Sequence, residues 1–293
     1  GGSTLGLGMN ALSINTIGVA DDGAVYVASL TPTPTTAPFS IYRWADDGAG
    51  SSPVTVFSGD PGGSVQSNIR WGDSIAVRGA GADTQILLAP GTGTRVALLR
   101  TTSGTNFQTE IPPAVITVSG VTSAFGQYGI AFGPGTNTFW AKTGSGLLYL
   151  VEFNLDTLTG TVLKSYPAAK VPAAFRGIGV NKEQTLLAGV AVESAGDNMR
   201  LYDITDLVDG PAMCDQEPFQ TQVPNYLATA TVAFGAGHLF ALDSNNGIQA
   251  FRINENYTSP VSIVSNPTNR TVLAGASVSF TSISAGTPRS MQW

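Results

Sequence analysis

Apolar residues in this chain fall into short triplets broken by turn residues, and the triplets repeat. An apolar, small, apolar triplet occurs five times, as Ile17-Gly18-Val19, Ile75-Ala76-Val77, Ile130-Ala131-Phe132, Ile178-Gly179-Val180 and Val232-Ala233-Phe234. A turn and a large, large, Ala triplet follow each time: Tyr26-Val27-Ala28, Leu87-Leu88-Ala89, Phe139-Trp140-Ala141, Leu186-Leu187-Ala188 and Leu239-Phe240-Ala241. A third element sets an apolar residue three before a large one, at Ile41 and Trp44, Val96 and Leu99, Leu150 and Phe153, Met199 and Tyr202, and Ile248 and Phe251. Four repeats add a weaker fourth apolar stretch, near Val56, Phe107 to Ile111, Val162 and Met213. Segments this short and alternating, separated by Gly- and Asp-containing turns, predict β-strands rather than helices.

Four short strands in a repeat of roughly 50 residues is the pattern of a β-propeller blade. The expected fold is all-β, a propeller with five visible four-stranded blades in this chain and six in its parent. Period-2 alternation puts Ile17 and Val19 on one sheet face and Gly18 on the other, so a bulky face can enter the space left by a small one on the next blade. A two-layer β-sandwich is the competing architecture, and it predicts no such regular quartet. The fifth repeat lacks a fourth strand of its own. Residues Thr4 to Leu12 are expected to supply it and close the ring, since an uncovered edge leaves backbone groups unpaired. The rival reading makes residues 1–13 the remnant of a sixth blade.

Composition narrows the partners. With 42% hydrophobic and 12% charged residues the chain can bury a core, and 14 Lys+Arg against 20 Asp+Glu leaves a net charge of −6. That balance disfavours nucleic acid, and no apolar run is long enough for a membrane span. One cysteine, Cys214, and one histidine, His238, remove disulfide frameworks and Cys/His zinc sites. No cofactor and no metal are expected. The chain opens at Gly1-Gly2-Ser3 and stops at Trp293 just after a strand-like segment, so truncation at both ends is the expectation.

Propeller topology sorts the polar residues onto two ends. One end receives Asp60, Arg70, Trp71, Asp73, Lys142, Glu193, Asp197, Asn198, Asp243, Asn245 and Asn246. The other receives Asp21, Asp22, Asp46, Asp47, Asp156, Asp206, Asp209 and His238. His238 has no serine elbow to serve, so a triad is not expected. Carboxylates such as Asp73 and Asp243 could cleave a glycosidic bond only if rigid elements held a pair at roughly 5–9.5 Å. The bland role for these residues is capping tight turns. The strongest site candidate is the segment from Asp60 to Asp73, where Trp71 could stack on a sugar while Arg70 and Asp73 bond its hydroxyls. The competing role has Trp71 filling the gap between blades and Arg70 pairing with Asp73 or Asp60. Asp243 and Asn245 complete the ligand-binding set, although Asn246-Gly247 also suits a tight hairpin turn.

Several strings resemble a family of exported bacterial propeller domains of unknown function that often precede immunoglobulin-like repeats. They are Ile17 to Gly23, Tyr42-Arg43-Trp44, Ser58 to Gly63, Arg70 to Asp73, Leu201 to Ile204 and Leu242 to Gly247. The resemblance implies a secreted or cell-surface parent and carries over no catalytic residues. From Pro260 the pattern changes to Ile263, Thr271-Val272, Ala274-Gly275, Val278-Ser279-Phe280 and Trp293, which resembles the opening of an immunoglobulin-like domain. The boundary is therefore set at 1–257 for the propeller and 258–293 for the incomplete immunoglobulin-like segment. The expected function is a non-catalytic binding or scaffold module for an extracellular glycan or protein. A propeller glycoside hydrolase or lyase and a structural spacer are the alternatives.

Overall fold

The computed structural model describes residues 14–253 except 49, 66, 195, 226 and 228, together with the strands Ser262–Ser265 and Ile283–Ala285. Among the described residues the fold is all-β, with one short 3-10 turn at Gly81–Asp83. The first unit is β1 (Thr16–Val19), β2 (Val25–Ala28), β3 (Phe39–Trp44) and β4 (Val54–Gly59). The second is β5 (Trp71–Arg78), β6 (Gln85–Pro90), β7 (Arg95–Arg100) and β8 (Ala114–Val118). The third is β9 (Gly129–Phe132), β10 (Thr138–Lys142), β11 (Leu148–Asn154) and β12 (Thr159–Tyr166). The fourth is β13 (Phe175–Val180), β14 (Leu186–Ala191), β15 (Asn198–Asp203) and β16 (Ala212–Pro218). A three-stranded unit of β17 (Ala230–Gly235), β18 (His238–Asp243) and β19 (Gly247–Arg252) follows. Every unit is an antiparallel meander.

The repeated triplets are the first and second strands of these units. First strands pack in sequence order, β1 on β5, β5 on β9, β9 on β13 and β13 on β17, which makes the arrangement propeller-like. The small central residue of the triplet has the role its pattern implies. A Cβ on Gly18 would overlap the Val77 side chain, and one on Gly179 would come within 2.9 Å of Val232 Cγ2. The core accordingly lies between units rather than inside any one sheet. Phe39, Ile41 and Tyr26 pack with Trp71, Leu88 and Leu99 between the first and second. Phe175 and Leu187 join Trp140 and Leu150 between the third and fourth. Each fully buried large apolar side chain contributes on the order of 1.5–3 kcal/mol, so the units hold one another upright.

Two features depart from the sequence expectation. The fourth strand of the second unit is Ala114–Val118, not the stretch Phe107 to Ile111. Phe107 is buried in a loop, and its ring meets Tyr26 edge-on at 5.8 Å. Its amide donates to Val56 O, so the residue plugs the seam between units instead of extending a ladder. Glu110 then braces that loop, accepting from Thr102 N and the hydroxyls of Thr101, Thr102 and Ser103. The second departure joins β8 and β12 in parallel, through Thr159↔Thr117 and Gly160↔Val118, which merges two units into one eight-stranded sheet. Gly160 permits this, since a Cβ there would sit 2.9 Å from Val118 Cγ2.

Among the described residues, no packing like that of the other first strands joins β17 back to β1. Ile17 and Val19 are exposed, as are Phe240 and Ile248 on the last unit. The expected closing strand, Thr4 to Leu12, lies outside the described residues. So does nearly all of the expected immunoglobulin-like segment. Within it, Ser262–Ser265 and Ile283–Ala285 pair antiparallel.

Candidate functional site

One end of the assembly gathers the N-termini of the first strands, the turns between second and third strands, and the segments linking units. Glycines with positive φ let neighbouring units close up there. Gly72 (φ +100), Gly129 (φ +142) and Gly177 (φ +60) each precede a first-strand triplet. A Cβ on Gly72 would overlap Ser29 O, one on Gly129 would come within 2.5 Å of Ile178 N, and one on Gly177 would overlap Ala230 O. Only glycine combines that backbone with so close an approach. The first strands therefore meet at this mouth, and the side chains beside the glycines meet with them.

At the seam of the first two units stand the residues of the Asp60–Asp73 segment. Arg70 holds Asp73 with two bonds, Nε to Oδ2 at 2.9 Å and Nη2 to Oδ1 at 2.5 Å. Burial raises the Asp73 carboxyl above its usual range, opposed by the Arg70 bonds and charge. Trp71 is fully buried, and its indole N–H donates to Asp60 Oδ1 at 3.2 Å. The other Asp60 oxygen accepts from Asn68 N at 2.8 Å. Asp60 and Trp71 thus form a rigid floor, and Arg70 is the exposed member. Asn15 reaches the same seam, donating from Nδ2 to Gly72 O at 2.7 Å.

The fourth and fifth units meet at a second, acidic corner. Asp243 is fully buried and Asp197 nearly so. Asn246 Nδ2 bridges the pair, 2.8 Å from Asp243 Oδ1 and 3.2 Å from Asp197 Oδ2. Asn225 Nδ2 donates to Asp243 Oδ2 at 2.8 Å, and the amides of Asn245 and Asn246 donate to Oδ1. Burial first and the Asp243 charge second push Asp197 above the ordinary carboxylate range. The Asn245 side chain is itself engaged, donating to Pro224 O at 2.6 Å. A cavity of about 370 Å³ lined by Asn137, Glu152 and several threonines lies at the opposite end, away from these charges.

The third and fourth units meet at a basic corner. Lys142 ends β10, fully buried, with Nζ donating to Gly146 O and Val171 O. Arg176, in β13, stacks its guanidinium 3.4 Å from the centre of the Tyr128 ring. Burial, and then the Arg176 charge, lower Lys142 to about 8. Sequence reasoning placed Lys142 at this end and missed Tyr128 and Arg176. A signal was present: the position two before each first-strand triplet reads Asn15, Asp73, Tyr128, Arg176 and Ala230.

The opposite end behaves as a set of turn caps. Asp22 Oδ1 accepts from Ala24 N, Asp46 Oδ1 from Gly48 N, and Asp206 Oδ1 from Val208 N and Asp209 N. His238 Nδ1 lies 2.8 Å from Ala236 O, within its own turn. No group of three or more metal-ligating side chains occurs among the described residues. No helix among them is long and apolar enough to cross a membrane.

Fold and mouth together define a propeller-like all-β protein with charged seams at one end, and known structures share that fold. The chain is similar to a DUF4623 family protein from Bacteroides eggerthii, with 17% identity, a TM-score of 0.57, and coverage of 82% of this chain and 60% of that one. It is also similar to a structural genomics protein of unknown function from Bacteroides thetaiotaomicron, at 13% identity and a TM-score of 0.53, covering 82% of this chain and 59% of the other. At such identities the likeness is one of fold alone, and the chain spans about three fifths of each neighbour. No family model and no curated protein matches the sequence.

Proposed function

We propose that this chain is a non-catalytic binding module of a secreted or cell-surface protein, with an extracellular glycan or protein partner held at the charged mouth. The architecture proposed with it is a five-bladed propeller up to residue 257, followed by an immunoglobulin-like segment. The observation that carries the reading is the state of the two candidate carboxylates. Asp73 is held by both arms of Arg70, and Asp243 is saturated by amides of Asn225, Asn245 and Asn246. Glycosidic cleavage needs one carboxyl free to protonate the leaving group and another free to attack or to activate water. Carboxylates engaged in this way are suited to orienting donors and acceptors instead. In this reading Arg70 and Asp73 contact the ligand, while Asp60, Trp71, Asp243 and Asn245 support the mouth from beneath.

A broad glycan array probed with the wild type, Arg70→Ala and Asp73→Asn tests this. Binding without turnover, lost in both variants while their melting temperatures hold, is the expected result. Polysaccharide cleavage that disappears in Asp73→Asn or Asp243→Asn would replace the binding module with a hydrolase or lyase. Silence on the array and on extracellular-protein panels would leave a structural spacer.

A further inference from the structure

The basic corner is chemically unfinished in a way the other two are not. Among the described residues only two ion pairs occur, Arg70–Asp73 and Arg200–Glu193. Lys142 and Arg176 therefore stand side by side without a carboxylate, in a chain whose net charge is −6. The Arg176 side chain makes no hydrogen bond to any described residue, and its buried Nε has no partner. Buried N–H groups are nearly always satisfied, so a buried guanidinium nitrogen with no partner marks a place where something else accepts. Arg100 and Arg200 also leave Nε unpartnered. Arg200 already has Glu193, and neither arginine is stacked on a ring.

Arg176 is also held in position. Tyr128 covers one guanidinium face, Gly177 N donates to Tyr128 O at 2.6 Å, and the two residues cannot drift apart without breaking the seam. The Tyr128 hydroxyl likewise makes no hydrogen bond to a described residue. Lys142 lies behind, wrapped by two carbonyls, and adds its charge in a poorly solvated setting where charges act strongly. A rigid planar fork, a free hydroxyl beside it and a second cation behind it fit an anion with two or more oxygens.

We infer that the corner formed by Tyr128, Lys142 and Arg176 is a binding site for an oxyanion, bonded by the Arg176 fork and the Tyr128 hydroxyl and attracted by Lys142. A sugar carboxylate and a sulfate or phosphate ester present the same chemistry. The assignment does not depend on Arg70 and Asp73, so it survives if neutral glycans fail to bind there.

The test is calorimetric titration of the whole chain at low ionic strength with galacturonate, inorganic sulfate and galactose. At least one anion binds tenfold or more tightly than galactose, weakens as salt is added, and loses tenfold or more in Arg176→Gln. Tyr128→Phe, which keeps the stack and removes the hydroxyl, loses severalfold, whereas Asp197→Asn at the acidic corner leaves affinity unchanged. Galacturonate binding ahead of sulfate identifies a carboxylate ligand, and the reverse order identifies an ester. Arg176→Lys covers the case in which Arg176→Gln does not fold, because it retains the charge but not the fork and still loses affinity. Equal affinity for galactose and both anions, or undiminished anion binding in folded Arg176→Gln or Arg176→Lys, overturns the site.

Discussion

The basic corner at Lys142 and Arg176 and the acidic corner at Asp197 and Asp243 are two solutions to the same geometry. Each lies at the mouth, between consecutive units, and each brings together like charges from the end of a second strand and from the neighbouring unit or turn. At the acidic corner, three asparagines deliver donors to the carboxylates, and the Asn246 side chain bridges the two. At the basic corner two backbone carbonyls serve Lys142, and nothing among the described residues accepts from the Arg176 side chain. Buried polar charge therefore does not by itself mark a binding site. The acidic corner is internally satisfied and acts as a clasp, while the basic one retains its capacity for a ligand.

The largest expected effect comes from breaking the backbone that seats Arg176. Gly177→Ala drives a methyl group against Ala230 O at φ +60 and should cost about 3 kcal/mol or more, read as a shift of the urea midpoint. Gly237→Ala is the matched control, with a similar φ of +71 and open space around it, and should cost only about 1 kcal/mol. Equal costs would mean that the seam is not tightly closed.

A smaller effect separates clasp from site. Asn246→Ala removes a donor shared by two buried carboxylates and should cost about 2–3 kcal/mol at neutral pH. Tyr128→Phe should change stability by less than about 0.5 kcal/mol, because its hydroxyl has no protein partner to lose. Thermal melts of the two variants side by side check the contrast. A larger loss in Tyr128→Phe would invert the assignment of roles.

The third effect depends on pH. Lys142 titrates near 8 when folded against an ordinary 10.5, so between these values the unfolded chain binds more protons and stability rises with pH. The rise should reach about 2 kcal/mol by pH 10 and be absent in Lys142→Met, measured by urea denaturation at fixed temperature. Above pH 10 the trend turns over. Burial holds Tyr166 up to about 12, so its unfolded form releases a proton first. A flat profile in the wild type would show Lys142 to be better solvated than its enclosure implies.

Much of this molecule could be read from its alternation. The triplets fall on first and second strands in all five units, and the third element falls on third strands. Fourth strands were less legible because outer strands are partly solvated, as the largely exposed β16 illustrates. Phe107 misled for a related reason: a buried aromatic in a loop carries the same apolar signature as one in a strand. At the site, the Arg70–Asp73 pair was one of two readings of adjacent residues. Trp71 carries composition suited to sugar stacking, yet the same large ring serves equally to fill a seam, and the structure places it there.

The order of small and large residues along the chain determined the strands, their grouping into meanders and the end to which each turn residue goes, because side-chain alternation is a local property of extended backbone. Which charges meet was decided only in three dimensions. Lys142 and Arg176 belong to different units, as do Asp197 and Asp243. Their encounter depends on how closely consecutive sheets pack at the mouth, and that closeness comes from interlocking side chains and from glycines whose need for positive φ no local pattern reveals.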